Sequence, residues 1–214
     1  MDTDPTSEFV VLFVCRANQI RSVIAEQLMA RRLRQIGDGL RATSTPLTWS
    51  TRSAGVAAHA GTRVHPGVTE LLQRWDIDTS GLRTHQLTAD DVAEAGLILT
   101  AERAHRSAVV SLDPRAVHRT FTLRQFAHLV HVGHPIEYSR QGGEELGEHA
   151  RSRRHLFAMM DPSADDIPDP VGGTHRELRS TGLAIARSLE MFGVSPAPLA
   201  VEDRRSRWSH LRRR

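Results

Sequence analysis

Phe9-Val-Val-Leu-Phe-Val14 is an unbroken apolar run of β-branched and aromatic residues, and it ends on the chain's single cysteine, Cys15. With Cys15 it is the longest apolar stretch in the sequence, far below the ~20 residues of a membrane span. A run this short and this uniformly apolar is the pattern of a strand buried on both faces, as in a parallel sheet. The polar segment Arg16-Ala-Asn-Gln-Ile20 follows, then a stretch from Val23 to Gln35 in which Ile24, Ala25, Leu28, Met29 and Leu33 recur at helical spacing, with the helix beginning near Arg21.

The same alternation continues along the chain. A strand is expected before Ser53-Ala-Gly55, a helix over Val64–Trp75, a strand at Leu97-Ile-Leu99, a helix over Ala101–Val110 and a strand over Val117–Phe121. The polar, glycine-containing stretch from His134 reads as a loop leading to a helix at about Glu145–Met160. Asp161–Gly173 reads as a loop and Glu177–Phe192 as a last helix. Strands and helices alternating in this way predict an α/β fold, a single three-layer domain with a parallel sheet and right-handed crossovers. Residues 8–193 form the expected domain, and 194–214 a Pro/Arg-rich tail.

Two absences narrow the chemistry. All 28 basic residues are arginine, which excludes a Schiff-base lysine and the lysine of a Walker-type phosphate loop. One cysteine excludes an internal disulfide and gives too few ligands for a cysteine-based zinc site. The net charge of +3 sits in the tail, where residues 201–214 carry six arginines against Glu202 and Asp203. That leaves 22 arginines against 23 acids in residues 1–200, a body without the basic surface that nucleic acid requires. The tail is either a solvated terminus or a dock for an acidic partner, anionic lipid or nucleic acid. No secretory signal is evident at Met1-Asp-Thr-Asp, so a cytoplasmic location is expected.

The placement of Cys15 has a chemical reading and a plain one. At the carboxyl end of a buried parallel strand, a loop running into a helix turns its N–H groups toward one point, where a tetrahedral oxyanion fits without lysine. Those N–H groups and the helix dipole favour the thiolate of a cysteine at the base. Arg21 closes the ring and can hold two phosphoryl oxygens at once. Ser22 can donate to the sulfur, and Asn18 tolerates a left-handed backbone. The plain reading is an ordinary buried cysteine at a strand end.

The segment Val11–Glu26, including Cys15-Arg-Ala-Asn-Gln-Ile-Arg-Ser22, resembles the signature of the low-molecular-weight protein tyrosine phosphatases. The likeness continues through Ser53-Ala-Gly55, Asp76–Ser80 with Gln86-Leu-Thr88, Ala95–Leu99 with His105-Arg106, and Ile167-Pro-Asp-Pro-Val-Gly-Gly173. The resemblance implies a four-stranded parallel sheet, no metal or other cofactor, and a phosphocysteine intermediate. It makes Cys15 the nucleophile, Arg21 the phosphate-gripping arginine and Asp169 the general acid. Arg16, Ala17, Asn18, Gln19, Ile20 and Ser22 become the phosphate-binding and supporting loop. Asp169 otherwise reads as a turn aspartate before proline, and Asp161, Asp165 and Asp166 are rival acids nearby.

The implied substrate is a phosphorylated protein or a small phosphoester, with inorganic phosphate as product. Departures from the family pattern bear on which. Ala17 stands for a glycine, and Ile20 for a frequent second cysteine, so an oxidised Cys15 has no partner thiol in this chain. Arg16, Gln19 and Val171 occupy mouth positions where phosphotyrosine enzymes carry apolar or aromatic groups, although Trp49 lies in a segment that could reach the rim. Arg16 either favours a substrate with extra negative charge or is a solvent-facing side chain. Dephosphorylation of phosphoarginine or of a small metabolite is therefore the second reading, and a non-catalytic phosphate-binding module the third. An arsenate reductase needs relay cysteines that are absent. His128-x-x-His131-x-x-His134 has a metal-like spacing but no carboxylate or cysteine beside it.

Overall fold

A computed structural model describes residues 8–40, 47–130, 135–157 and 162–194. Four parallel strands form one sheet in the order β2-β1-β3-β4: β1 Phe9–Cys15, β2 Trp49–Gly55, β3 Ala95–Thr100 and β4 Thr120–Thr122. Side chains of β1 point alternately to two cores. Phe9, Val11 and Phe13 join Leu97 and Leu99 on one face, where helices α1 (Arg21–Leu40), α2 (Pro66–Arg74), α5 (Leu123–Leu129), α6 (Arg140–Ser152) and α7 (His175–Ser188) pack. Leu12 and Val14 meet Ile98 on the other, under α3 (Ala89–Glu94) and α4 (Arg103–Leu112). Every residue of β1 is buried, as a strand covered on both faces must be.

Several expected boundaries move, each for a local reason. The helix expected over 64–75 starts at Pro66, because the His65 side chain accepts from the Gly67 N–H and Pro66 occupies the first turn. The strand expected over 117–121 is a 3₁₀ turn, Pro114–His118, initiated by Asp113, and pairing starts only at Thr120. The loop expected from His134 gives way to α6 already at Arg140, capped by Ser139, rather than at about Glu145. One of its glycines marks contact with the core: a Cβ on Gly143 would sit 2.6 Å from the Phe9 ring. That helix ends at Ser152 rather than near Met160, which lies outside the described residues. The last helix begins at His175 with a Thr174–Glu177 capping box and ends at Ser188, before a 3₁₀ turn at Glu190–Phe192. Helices α3 and α5 were not anticipated; α3 has only six residues and α5 seven, too short for a periodic signal.

Trp49 does not reach the rim. The register places it opposite Phe9, at the far end of the strand pair from Cys15 and Gly55, about 20 Å away at the usual rise per residue. There it packs against the rings of Phe9 (4.9 Å between centroids), Tyr138 (5.0 Å) and Phe192 (6.0 Å). His131, His134 and residues 195–214 lie outside the described residues, while Val194, the first residue of the expected tail, is buried in the core. His128 is an exposed member of α5 whose Nδ1 lies 2.7 Å from the Arg124 carbonyl oxygen. Among the described residues, no helix is long and apolar enough to cross a membrane.

Candidate active site at the first strand–helix junction

Cys15 is the last residue of β1 and is 3% exposed; residues 16–20 form a tight loop, and Arg21 opens α1. The loop's carbonyl groups are turned outward. Those of Cys15, Arg16 and Gln19 accept from the N–H groups of Val56 (3.0 Å), Ala57 (2.8 Å) and His65 (3.2 Å). Among the described residues, no backbone carbonyl accepts from the N–H groups of residues 16–20. Successive N–H donors without acceptors, next to a helix N-terminus, make an anion cradle.

Asn18 supports this shape in two ways. Its backbone adopts φ +52°, the left-handed turn that redirects the chain. Its buried side chain then ties three segments together: the amide nitrogen donates to Ser22 Oγ (2.9 Å) and Ser53 Oγ (2.8 Å), and the amide oxygen accepts from the His85 N–H (2.7 Å). With its acceptor side filled by Asn18, the Ser22 hydroxyl donates to Cys15 Sγ at 3.0 Å when the sulfur is a thiolate. Ser53 in turn donates to Glu26 Oε2 (2.6 Å). Burial pushes the Glu26 carboxyl above its usual range, against the opposing pull of that hydrogen bond. Gly55 closes the back of the loop, since a Cβ there would come within 2.6 Å of the Asn18 nitrogen.

Arg21 is 2% exposed. Its guanidinium donates to Glu102 Oε1, to the Ile167 carbonyl (2.8 Å) and to Asp169 Oδ2 (2.8 Å). Arginine's planar fork thus gathers the ends of β1 and β3 and the 167–169 loop at one place. Asp169 is partly exposed and its Oδ1 accepts from the Val171 N–H (3.3 Å). The rival acids are otherwise engaged or displaced: Asp166 accepts from the Arg103 N–H (2.8 Å), capping α4, Asp165 is buried, and Asp161 lies outside the described residues. Glu102 was missed by the sequence reading. Its position just beyond the carboxyl end of β3 was the available signal, since ligand groups in open α/β sheets gather at strand ends. Behind it, His105 is buried with Nε2 4.0 Å from Glu102 Oε2; burial lowers its pKa, with Glu102 pulling the other way.

The mouth is polar. Arg16 is exposed, Gln19 half-buried, and Val171 is 63% exposed. The aromatic side chains described here are buried or half-buried in the core, and none stands at the rim. Ala17 is half-buried and Ile20 is buried. Among the described residues, no three His, Cys, Asp or Glu side chains are grouped to hold a metal ion.

The fold and the loop define a parallel α/β protein with a thiol at the floor of an oxyanion cradle. Residues 10–157 match the family described as "Low molecular weight phosphotyrosine protein phosphatase", and the chain belongs to that family. A protein-arginine-phosphatase of Geobacillus stearothermophilus is 29% identical over 142 residues, covering 64% of this chain and 87% of that protein. The low molecular weight protein-tyrosine-phosphatase PtpA of Staphylococcus epidermidis is 23% identical over 161 residues, 75% of this chain and 92% of PtpA. Among solved structures, the low molecular weight protein tyrosine phosphatase of T. tengcongensis superposes with a TM-score of 0.62. It is 23% identical, with 86% of this chain and 97% of that chain covered.

Proposed function

We propose that this chain is a metal-independent phosphomonoester hydrolase acting on phosphorylated protein, with Cys15 as nucleophile. The observation that carries the reading is a buried sulfur followed by a loop whose N–H groups, among the described residues, no backbone carbonyl accepts, running into Arg21, whose guanidinium is bridged to Asp169. In the first step the Cys15 thiolate attacks phosphorus and the P–O ester bond breaks. The N–H groups of residues 16–20 and Arg21 hold the equatorial oxygens, and Asp169 gives its proton to the leaving oxygen. In the second step water attacks phosphorus, Asp169 accepts the water's proton, and the S–P bond breaks to release phosphate. Ser22 stabilises the departing thiolate through its 3.0 Å contact. Arg21 must exchange its bond to Asp169 for the phosphoryl group when substrate enters. We place the reaction in the cytoplasm, where an unpaired catalytic thiol stays reduced.

The first test is turnover of para-nitrophenyl phosphate in EDTA, with rapid acid quench and mass spectrometry of the Cys15 peptide. Turnover with one phosphoryl group on that peptide is expected; a silent protein, or turnover without the adduct, overturns the reading. Asp169→Asn is expected to slow phenyl phosphate, a poor leaving group, by about a hundredfold. The loss is smaller on para-nitrophenyl phosphate, whose leaving oxygen needs less protonation. Equal slowing of both would remove Asp169 from the role of acid.

Phosphotyrosine is the substrate that the family description names. The rim favours a second reading, phosphoarginine, because among the described residues no Phe, Tyr or Trp stands there for a phenyl ring to stack on. The relative from G. stearothermophilus, named as an arginine phosphatase, lends weight to it. Comparing kcat/KM on matched phosphotyrosine and phosphoarginine peptides separates the two, the higher value naming the substrate.

A further inference from the structure

Two segments that brace the phosphate loop also meet each other. The chain after β2 reaches the loop at His65, whose N–H bonds the Gln19 carbonyl, and the chain after α2 reaches it at His85, whose N–H bonds Asn18 Oδ1. Between these anchors Arg63 and Arg83 stand directly opposite in an isolated antiparallel bridge. The Thr84 N–H donates to the Thr62 carbonyl (2.9 Å) and the Gly61 N–H to the Thr84 carbonyl (2.8 Å). Both arginines are exposed. Arg83 donates to the neighbouring Leu82 carbonyl, and among the described residues no carboxylate pairs with either. Like charges placed opposite each other on paired strands repel and are destabilising. A local rule broken at an exposed position beside a reactive centre is the mark of a binding surface.

These arginines line a groove of about 600 Å³ between α2 and residues 78–83, whose other walls include Pro66, Thr69 and Gln73. Two acids, Glu70 on α2 and Asp78, also line it. The Asp78 carboxylate is already committed to the N–H and hydroxyl of Ser80 (2.8 and 2.7 Å). Among the described residues no salt bridge joins either acid to Arg63 or Arg83, the pair that lies nearest in sequence to the residues bracing the phosphate loop. Arg63 and Arg83 are each two residues from a contact with that loop, a span of at most about 7 Å of chain.

We propose that Arg63 and Arg83 form a recognition site for acidic side chains of the polypeptide substrate, within about three residues of the phosphorylated one. This rests on the phosphatase reading above and extends it from the reacting group to the peptide around it. Carboxylates of an Asp or Glu would enter between the two guanidinium groups, cancel their repulsion and accept from both. Because the pair is exposed, its contribution is one of selectivity and capture, and it is screened by salt.

The test uses the full chain and peptides carrying whichever phospho-residue is turned over faster, flanked by Asp/Glu, by Ser or by Arg. Wild type is expected to prefer the acidic peptide over the neutral one by about fivefold to tenfold in kcat/KM, mostly through KM. The preference should vanish near 1 M salt, where the screening length falls to about 3 Å. R63E/R83E should reverse the order, favouring the basic peptide, while turnover of para-nitrophenyl phosphate stays unchanged. Equal kcat/KM for all three peptides at low salt overturns the proposal and leaves the phosphatase reading intact. So does a doubly substituted protein that loses activity on para-nitrophenyl phosphate in proportion. A wild type inert toward para-nitrophenyl phosphate and every peptide sinks both.

Discussion

Cys15→Ser is expected to reduce kcat by about a million-fold, the scale on which a hydrolase loses its nucleophile, while the protein stays folded and still binds inorganic phosphate. The substitution is nearly isosteric at a buried strand end, and the Ser22 hydroxyl, 3.0 Å from the sulfur, can hydrogen-bond to oxygen as well. What changes is the anion. A thiol ionises within reach of neutral pH, whereas a serine hydroxyl needs a general base. The side chain in contact with this position is a donor, Ser22, and among the described residues no backbone carbonyl accepts from the N–H groups of the loop that follows. Among the described residues no carboxylate or imidazole is hydrogen-bonded to Cys15, and Asp169 is tied to Arg21, so an alcohol at this position has no base in contact to take its proton. The measurement is kcat on para-nitrophenyl phosphate, with thermal unfolding and phosphate titration as controls for the fold and the cradle. Retention of turnover within a hundredfold of wild type would mean that the sulfur is not the attacking atom.

How far the sequence could be read depended on how local each feature is. The buried strand, the loop and the start of α1 were legible because their signal spans fewer than twenty consecutive residues, Phe9 to Ala25. The Cys15–Ser22 and Asn18–Ser22 contacts join residues seven and four positions apart. Arg21 reaches Glu102 and Asp169, 81 and 148 positions away. Asp169 was found only through the resemblance of its Pro-Asp-Pro-x-Gly-Gly segment, and Glu102 had no such marker. Strand ends posed a different difficulty. Composition identifies β2, yet only the register with β1 reveals that Trp49 belongs to the end opposite Cys15. The glycines of α6 misled for a third reason. Gly142 and Gly143 read as loop residues when helical propensity is weighed alone. In the fold a Cβ on Gly143 would meet the Phe9 ring of the core and one on Gly142 the backbone of Glu137, so neither place has room for a side chain. Tertiary packing, invisible in a window of sequence, outweighed the local preference.

Arg21→Lys is expected to lower kcat/KM by about a thousandfold, within the range measured when a phosphoryl-transfer site loses its arginine. The charge is conserved, so a purely coulombic role would predict a mild effect. The geometry argues otherwise. Three acceptors surround the guanidinium: Nη1 donates to Glu102 Oε1 and to the Ile167 carbonyl, and Nη2 to Asp169 Oδ2. A lysine ammonium is a compact, strongly hydrated donor that cannot span them while also gripping two phosphoryl oxygens. Loss of the donor to the buried Ile167 carbonyl should also cost about 1–3 kcal/mol of stability, visible as a lower Tm. Glu102→Gln separates the two consequences. It keeps the shape of the brace and removes its charge, so it should produce a smaller fall in activity than Arg21→Lys, carried mainly in KM as the guanidinium loses its preset orientation. If Arg21→Lys retained activity within tenfold of wild type, the guanidinium would be a structural clamp between strand ends. Phosphate recognition would then rest on the loop N–H groups alone.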